Sequence, residues 1–184
     1  MTQSENTTMM QLVIYTEAFF FLCLIMAFVY MAYNSGFEPH ELDRLDIRTA
    51  GIFTAVLIAS SITLHFAERG YTRGKPAALK GWLIVTIVLG AIFLAGQGNE
   101  YVRLIRDDIT LNGSVFGASF FTLTGFHGLH VLVGLVILSI VLVLAFLRDS
   151  KSAIGTVALY WHFVDVVWLF VFTVVYVLPQ FTTI

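Results

Sequence analysis

Charge is what this sequence has least of. Asp, Glu, Lys and Arg together supply 12% of its 184 residues, about half the share found in soluble domains. It has a single cysteine, Cys23, which excludes an internal disulfide and any paired-thiol motif. Its three prolines, Pro39, Pro76 and Pro179, sit between or at the ends of apolar runs, where a missing N–H costs least. No Walker loop, HExxH or Ser–His–Asp spacing occurs, and Gly96-Gln97-Gly98 follows no strand, so it is no nucleotide loop. No basic patch is large enough for nucleic acid. Residues 1–11 contain no Lys or Arg, so the basic leader of a secretory signal is missing and the first apolar run reads as a retained helix.

Apolar residues are what it has in excess. They make up 58% of the chain, and the mean hydropathy is +0.87. Five runs, at 12–33, 47–67, 79–99, 115–147 and 154–178, reach the roughly 20 residues that a helix needs to cross the hydrocarbon core. Strands of a membrane barrel would be about half as long and would alternate polar with apolar residues. The fold class is therefore all-α: a polytopic bundle of five transmembrane helices forming a single membrane domain over 1–184.

The basic residues divide between two sides. Arg69, Arg73, Lys75, Lys80, Arg148 and Lys151 fall with the N-terminus, whereas Arg44, Arg48, Arg103 and Arg106 fall on the other side. The positive-inside rule then predicts a cytoplasmic N-terminus and an external C-terminus.

Ionisable groups in hydrocarbon are expensive and need a partner or a purpose. With this orientation Glu17, His65, His162 and Asp165 share one depth zone, predicting a hydrogen-bonded cluster drawn from three helices, and the i,i+3 spacing of His162 and Asp165 suits a direct pair. His127 and His130, also i,i+3, admit either metal or haem ligation or interhelical hydrogen bonding. A metal site wants three or four convergent ligands, which favours the structural reading. Gly117, Thr124 and Gly128 form a stripe of small residues on which another backbone can pack, within the chain or from a partner. Trp161, Asp165, Trp168 and Phe172 share one face of the last helix.

The residues around His127 carry more. Phe120-Phe121-Thr122-Leu123-Thr124-Gly125-Phe126-His127-Gly128-Leu129-His130-Val131 resembles a signature of subunit III of haem–copper terminal oxidases. Tyr160-Trp161-His162-Phe163-Val164-Asp165-Val166-Val167-Trp168-Leu169-Phe170 is similar to that family's last-helix signature, and Glu17-Ala18-Phe19-Phe20-Phe21 to its carboxylate-plus-aromatics segment. Ala59-Ser60-Ser61-Ile62-Thr63 and Asn99-Glu100-Tyr101 fit in the same order.

The resemblance implies a non-catalytic core subunit of a proton-pumping cytochrome c oxidase in the bacterial plasma membrane. Such a subunit binds no haem or copper itself, since those belong to partner subunits I and II. It packs on subunit I, holds structural phospholipid, and supports proton uptake, enzyme lifetime and oxygen access. Glu17 and Arg148 are the lipid-side residues it implies, and Glu100 joins the buried polar set. The two N-terminal helices of the longest members have no counterpart here, which bears on the lipid cleft they help to form. The alternatives are a quinol oxidase subunit III, a haem b electron carrier using His127, His130 or His162, and a small transporter with Glu17 and Asp165 on a proton path.

Overall fold

The computed structural model describes residues 3–37, 44–147 and 154–179. They form five helices: α1 (Gln3–Met31), α2 (Ile47–Thr72), α3 (Pro76–Arg106), α4 (Val115–Leu147) and α5 (Ile154–Phe172). A π-helical turn extends α1 over Ala32–Gly36, and another extends α5 over Thr173–Val177. Among the described residues there is no strand. All five helices are long and apolar enough to span a bilayer.

Helix ends run past the apolar runs that announced them. α2 continues to Thr72 and α3 occupies Pro76–Arg106, because hydropathy marks only the part immersed in lipid. The outer turns carry Glu68, Arg69, Arg103 and Arg106, which suit the interface. Their boundaries have local causes. Asp46 caps α2, its side chain accepting from the Arg48 and Thr49 amides at 3.1 and 3.2 Å, the hydrogen-bond pattern of an N-cap. Gly74, at φ +65°, reverses the chain between α2 and α3. Its amide bonds to the Tyr71 carbonyl, and that of Lys75 to the Gly70 carbonyl, both at 2.9 Å. Pro76 then opens α3 at a position where its absent N–H is not needed.

α2 and α3 form the most extensive helix pair, and α5 lies against α1, α2 and α4. α5 is the central element: half of its most apolar window is buried by the rest of the bundle, against 11% for α1 at the periphery. Lipid tails are as apolar as Leu, so burial of apolar surface gives helices little reason to associate in a membrane. Close packing and hydrogen bonds do that work instead.

Both are concentrated on α5. The Trp168 indole N–H donates to Thr54 at 2.9 Å, and that of Trp161 to Ser60 at 3.1 Å, fixing α5 to α2 at two heights. The Trp161 ring occupies space left by two glycines on other helices. A Cβ would lie 2.8 Å from it at Gly90 of α3, and equally at Gly134 of α4. Gly96 similarly receives the Phe53 ring, which a Cβ would meet at 2.5 Å.

Candidate functional site

The polar groups fall into layers rather than one cluster. In the middle layer, His130 Nε2 of α4 lies 3.0 Å from Glu17 Oε2 of α1, and His130 Nδ1 lies 2.7 Å from the Phe126 carbonyl. The carbonyl can only accept, so the Nδ1 proton is fixed, and one further proton is shared between Nε2 and the carboxyl. The Tyr160 hydroxyl of α5 donates to the His130 carbonyl at 3.3 Å. Phe21 meets the imidazole edge-on, ring centroids 4.9 Å apart, and Phe20 meets Phe126 likewise at 5.1 Å. The carboxylate-plus-aromatics segment thus seats α1 on α4.

The expected cluster of Glu17, His65, His162 and Asp165 does not form as one unit. Glu17 turns to His130. His162 Nδ1 meets Ser61 Oγ of α2 at 2.5 Å, and Glu68 lies 3.9 Å from both His162 Nε2 and His65 Nδ1. His65 is exposed rather than buried, its side chain lying near the end of α2. The direct His162–Asp165 pair is also absent. Asp165 is buried, and neither carboxyl oxygen has a hydrogen-bond partner. Side chains three residues apart on a helix share a face, but here His162 is drawn sideways to α2 instead of along its own helix.

His127 takes a structural place other than the interhelical hydrogen bond expected of it. It is fully buried, yet neither ring nitrogen has a hydrogen-bond partner. Its imidazole packs on Trp168 with centroids 4.7 Å apart, and edge-on to Phe93 and Phe21 at 6.0 and 6.3 Å. It behaves as an aromatic core residue joining α1, α3, α4 and α5. The nitrogens of His130 are both engaged, as is Nδ1 of His162. Among the described residues no group of three or more His, Cys, Asp or Glu converges as a metal site would require.

On the side predicted to be external, Tyr176 of α5 donates to Glu100 Oε2 at 2.6 Å. Arg103 approaches Glu100 and Asp46 at 3.5 Å each and donates to the Arg44 carbonyl at 3.2 Å, while Arg44 lies 3.3 Å from Asp107. Thr124 bonds Tyr101 at 2.7 Å. Of the small-residue stripe, Gly117 is the tight position, since a Cβ there would collide with the Thr110 carbonyl oxygen. Gly128 has only ordinary contact, with Leu94 at 3.8 Å. Arg148, the expected head-group contact, lies outside the described residues.

The sequence assigns no individual role to Ser61, Glu68, Gly90 or Gly134. Glu68 was visible as a carboxylate three residues after His65. The glycines carry no such mark, because what they accommodate is a tryptophan remote in sequence.

Apolar helices joined through such polar and aromatic contacts, with the remaining surface largely apolar, define a multi-pass membrane protein built for packing. The chain belongs to the cytochrome c oxidase subunit III family, whose sequence model matches residues 3–180. It is 43% identical over 149 residues to the cytochrome c oxidase subunit 3 of Corynebacterium diphtheriae, covering 78% of this chain and 72% of that one. With the probable cytochrome c oxidase subunit 3 of Nocardia farcinica it shares 37% identity over 166 residues, 88% of this chain and 82% of the relative. The cytochrome bo(3) ubiquinol oxidase subunit 3 of Pseudomonas putida is 36% identical over 167 residues, 85% and 80% of the respective chains.

Proposed function

We propose that this chain is a non-catalytic core subunit of a proton-pumping cytochrome c oxidase, with haem and copper held by subunits I and II. It packs on subunit I in a bacterial plasma membrane, its N-terminus cytoplasmic and its C-terminus external. Together with bound phospholipid it sustains proton uptake and enzyme lifetime, and offers oxygen an apolar route.

The observation that carries this reading is the state of the family's signature residues. His130 and Glu17 satisfy one another, and His127 is walled in by Trp168, Phe93 and Phe21. Side chains placed in this way support a role in holding helices together rather than in ligating a haem iron. This weighs against the haem b carrier. A transporter would favour helices interrupted at the midplane, whereas α2, α3 and α4 are continuous across their spans. Cytochrome c is the electron donor in this reading, following the naming of the Nocardia and Corynebacterium relatives.

Affinity purification of the chain in mild detergent tests this assignment. The expected product contains haem–copper subunits and oxidises reduced cytochrome c. A purified chain carrying its own Soret band, or a complex that oxidises quinol but not cytochrome c, contradicts it.

A further inference from the structure

Between α2 and α5 the bundle surface opens into a cleft of about 230 Å³, lined by Leu57, Ile58, Ser61, His162, Asp165 and Val166, with Trp168 and Leu169 beyond. Asp165 is 7% exposed, and both its oxygens lack a hydrogen-bond partner. The Ser61 hydroxyl, which lines the same cleft, is engaged by His162. A single shared hydroxyl proton cannot satisfy two carboxyl oxygens. A buried polar group left in this state is costly, the more so where no water is at hand.

We infer that the α2–α5 cleft seats a transmembrane helix of a partner subunit, which inserts a hydrogen-bond-donating side chain against Asp165. The inference rests on the oxidase-subunit reading and identifies the face through which the chain would engage its complex. Depth argues for a helix over a lipid. Asp165 is the twelfth of the 24 residues in the span Ile154–Val177, ~17 Å from its start at 1.5 Å per residue. Donors on lipid head groups lie at the edge of a core about 30 Å thick, and acyl chains carry none. Size argues the same way. Pockets for small organic ligands occupy roughly 300–1,000 Å³, whereas this cleft suits one protruding side chain. Exposed Ile58, Val166 and Leu169 flank it as an apolar wall for the rest of the helix. A shallow groove on α4, lined by Leu135, Val136, Ser139, Ile140, Val143 and Leu144, provides the contrast. Its one polar side chain, Ser139, is satisfied by the Leu135 carbonyl at 2.7 Å.

The test places a photo-crosslinking phenylalanine at Val166, and separately at Val136 on the α4 groove, in the oxidase complex within native membranes. Adducts are identified in the purified complex. The Val166 probe is expected to capture a transmembrane segment of another subunit bearing a donor side chain at mid-depth, and the Val136 probe to capture lipid. Asp165→Leu should lower the Val166 adduct about tenfold, whereas Asp165→Asn, which keeps an accepting oxygen, should retain it within about threefold. Ile58→Trp narrows the cleft from α2 while leaving Asp165 itself unchanged, and should abolish the adduct even where Asp165→Leu fails to fold. Lipid adducts alone at Val166, a captured segment without a donor, or an adduct indifferent to Ile58→Trp overturn the inference. If haem–copper subunits are nonetheless present, the subunit assignment stands without it. If they are absent from the purified material, both fall.

Discussion

His130 Nε2 and Glu17 Oε2 stand 3.0 Å apart, joining α4 to the most peripheral helix of the bundle. Because the Phe126 carbonyl holds the Nδ1 proton, the pair retains its bond with the proton on either partner. Glu17→Gln, whose amide can donate to Nε2, should leave α1 seated. Glu17→Ala should weaken its docking by roughly 1 kcal/mol, the scale of hydrogen bonds between membrane helices. Limited proteolysis of α1 in the detergent-solubilised complex reads the difference, and equal protection of both variants contradicts the role given to the pair.

The Trp161 ring depends on two glycines. Gly134→Ala and Gly90→Ala each put a methyl group about 3 Å or less from it, and overpacking of this kind costs about 1–3 kcal/mol. Both variants should lower the temperature at which the chain is lost from the complex. Trp161→Phe, which shortens the ring system, should be damaging alone yet partly rescue Gly134→Ala. Additive losses in that double mutant count against a direct clash.

Asp46 links the cap of α2 to Arg103 and lies before the membrane-spanning part of that helix. Hydrogen bonds from Thr49, from both its side chain and its amide, hold its carboxyl below the usual 3.8. A carboxyl lowered on folding adds stability that is complete above its unfolded value and is lost as pH falls through its folded one. Thermal stability should therefore lose this contribution only below about pH 4. Asp46→Asn should keep the cap and remove that part of the pH dependence. Asp46→Ala should cost about 1 kcal/mol at neutral pH. Melting curves of the three forms between pH 7 and 3 supply the comparison.

Number and kind of helices were legible in the sequence because hydropathy depends on local composition. Several polar residues of the site were also legible, since Glu17, His127, His130, His162 and Asp165 stand out against an apolar background, whereas Glu100 entered only through the family resemblance. Their partners were not. Depth along the helices grouped Glu17 with His162 and Asp165, but pairing depends also on rotation about each helix axis. That rotation is set by contacts such as Trp161 in the space left by Gly90 and Gly134, which no local pattern announces. The same limit hid His127, whose spacing from His130 suggests a shared role although one imidazole is hydrogen-bonded and the other is packed among rings.

The central proposal is that this chain supports oxidase catalysis without performing it. The most direct measurement follows oxygen consumption, per haem, through many turnovers by purified oxidase with and without this chain. The expected result is an initial rate that changes little on its removal, followed by activity that decays several-fold sooner. Loss of the initial electron-transfer rate itself, or equal lifetimes in the two preparations, contradicts the account.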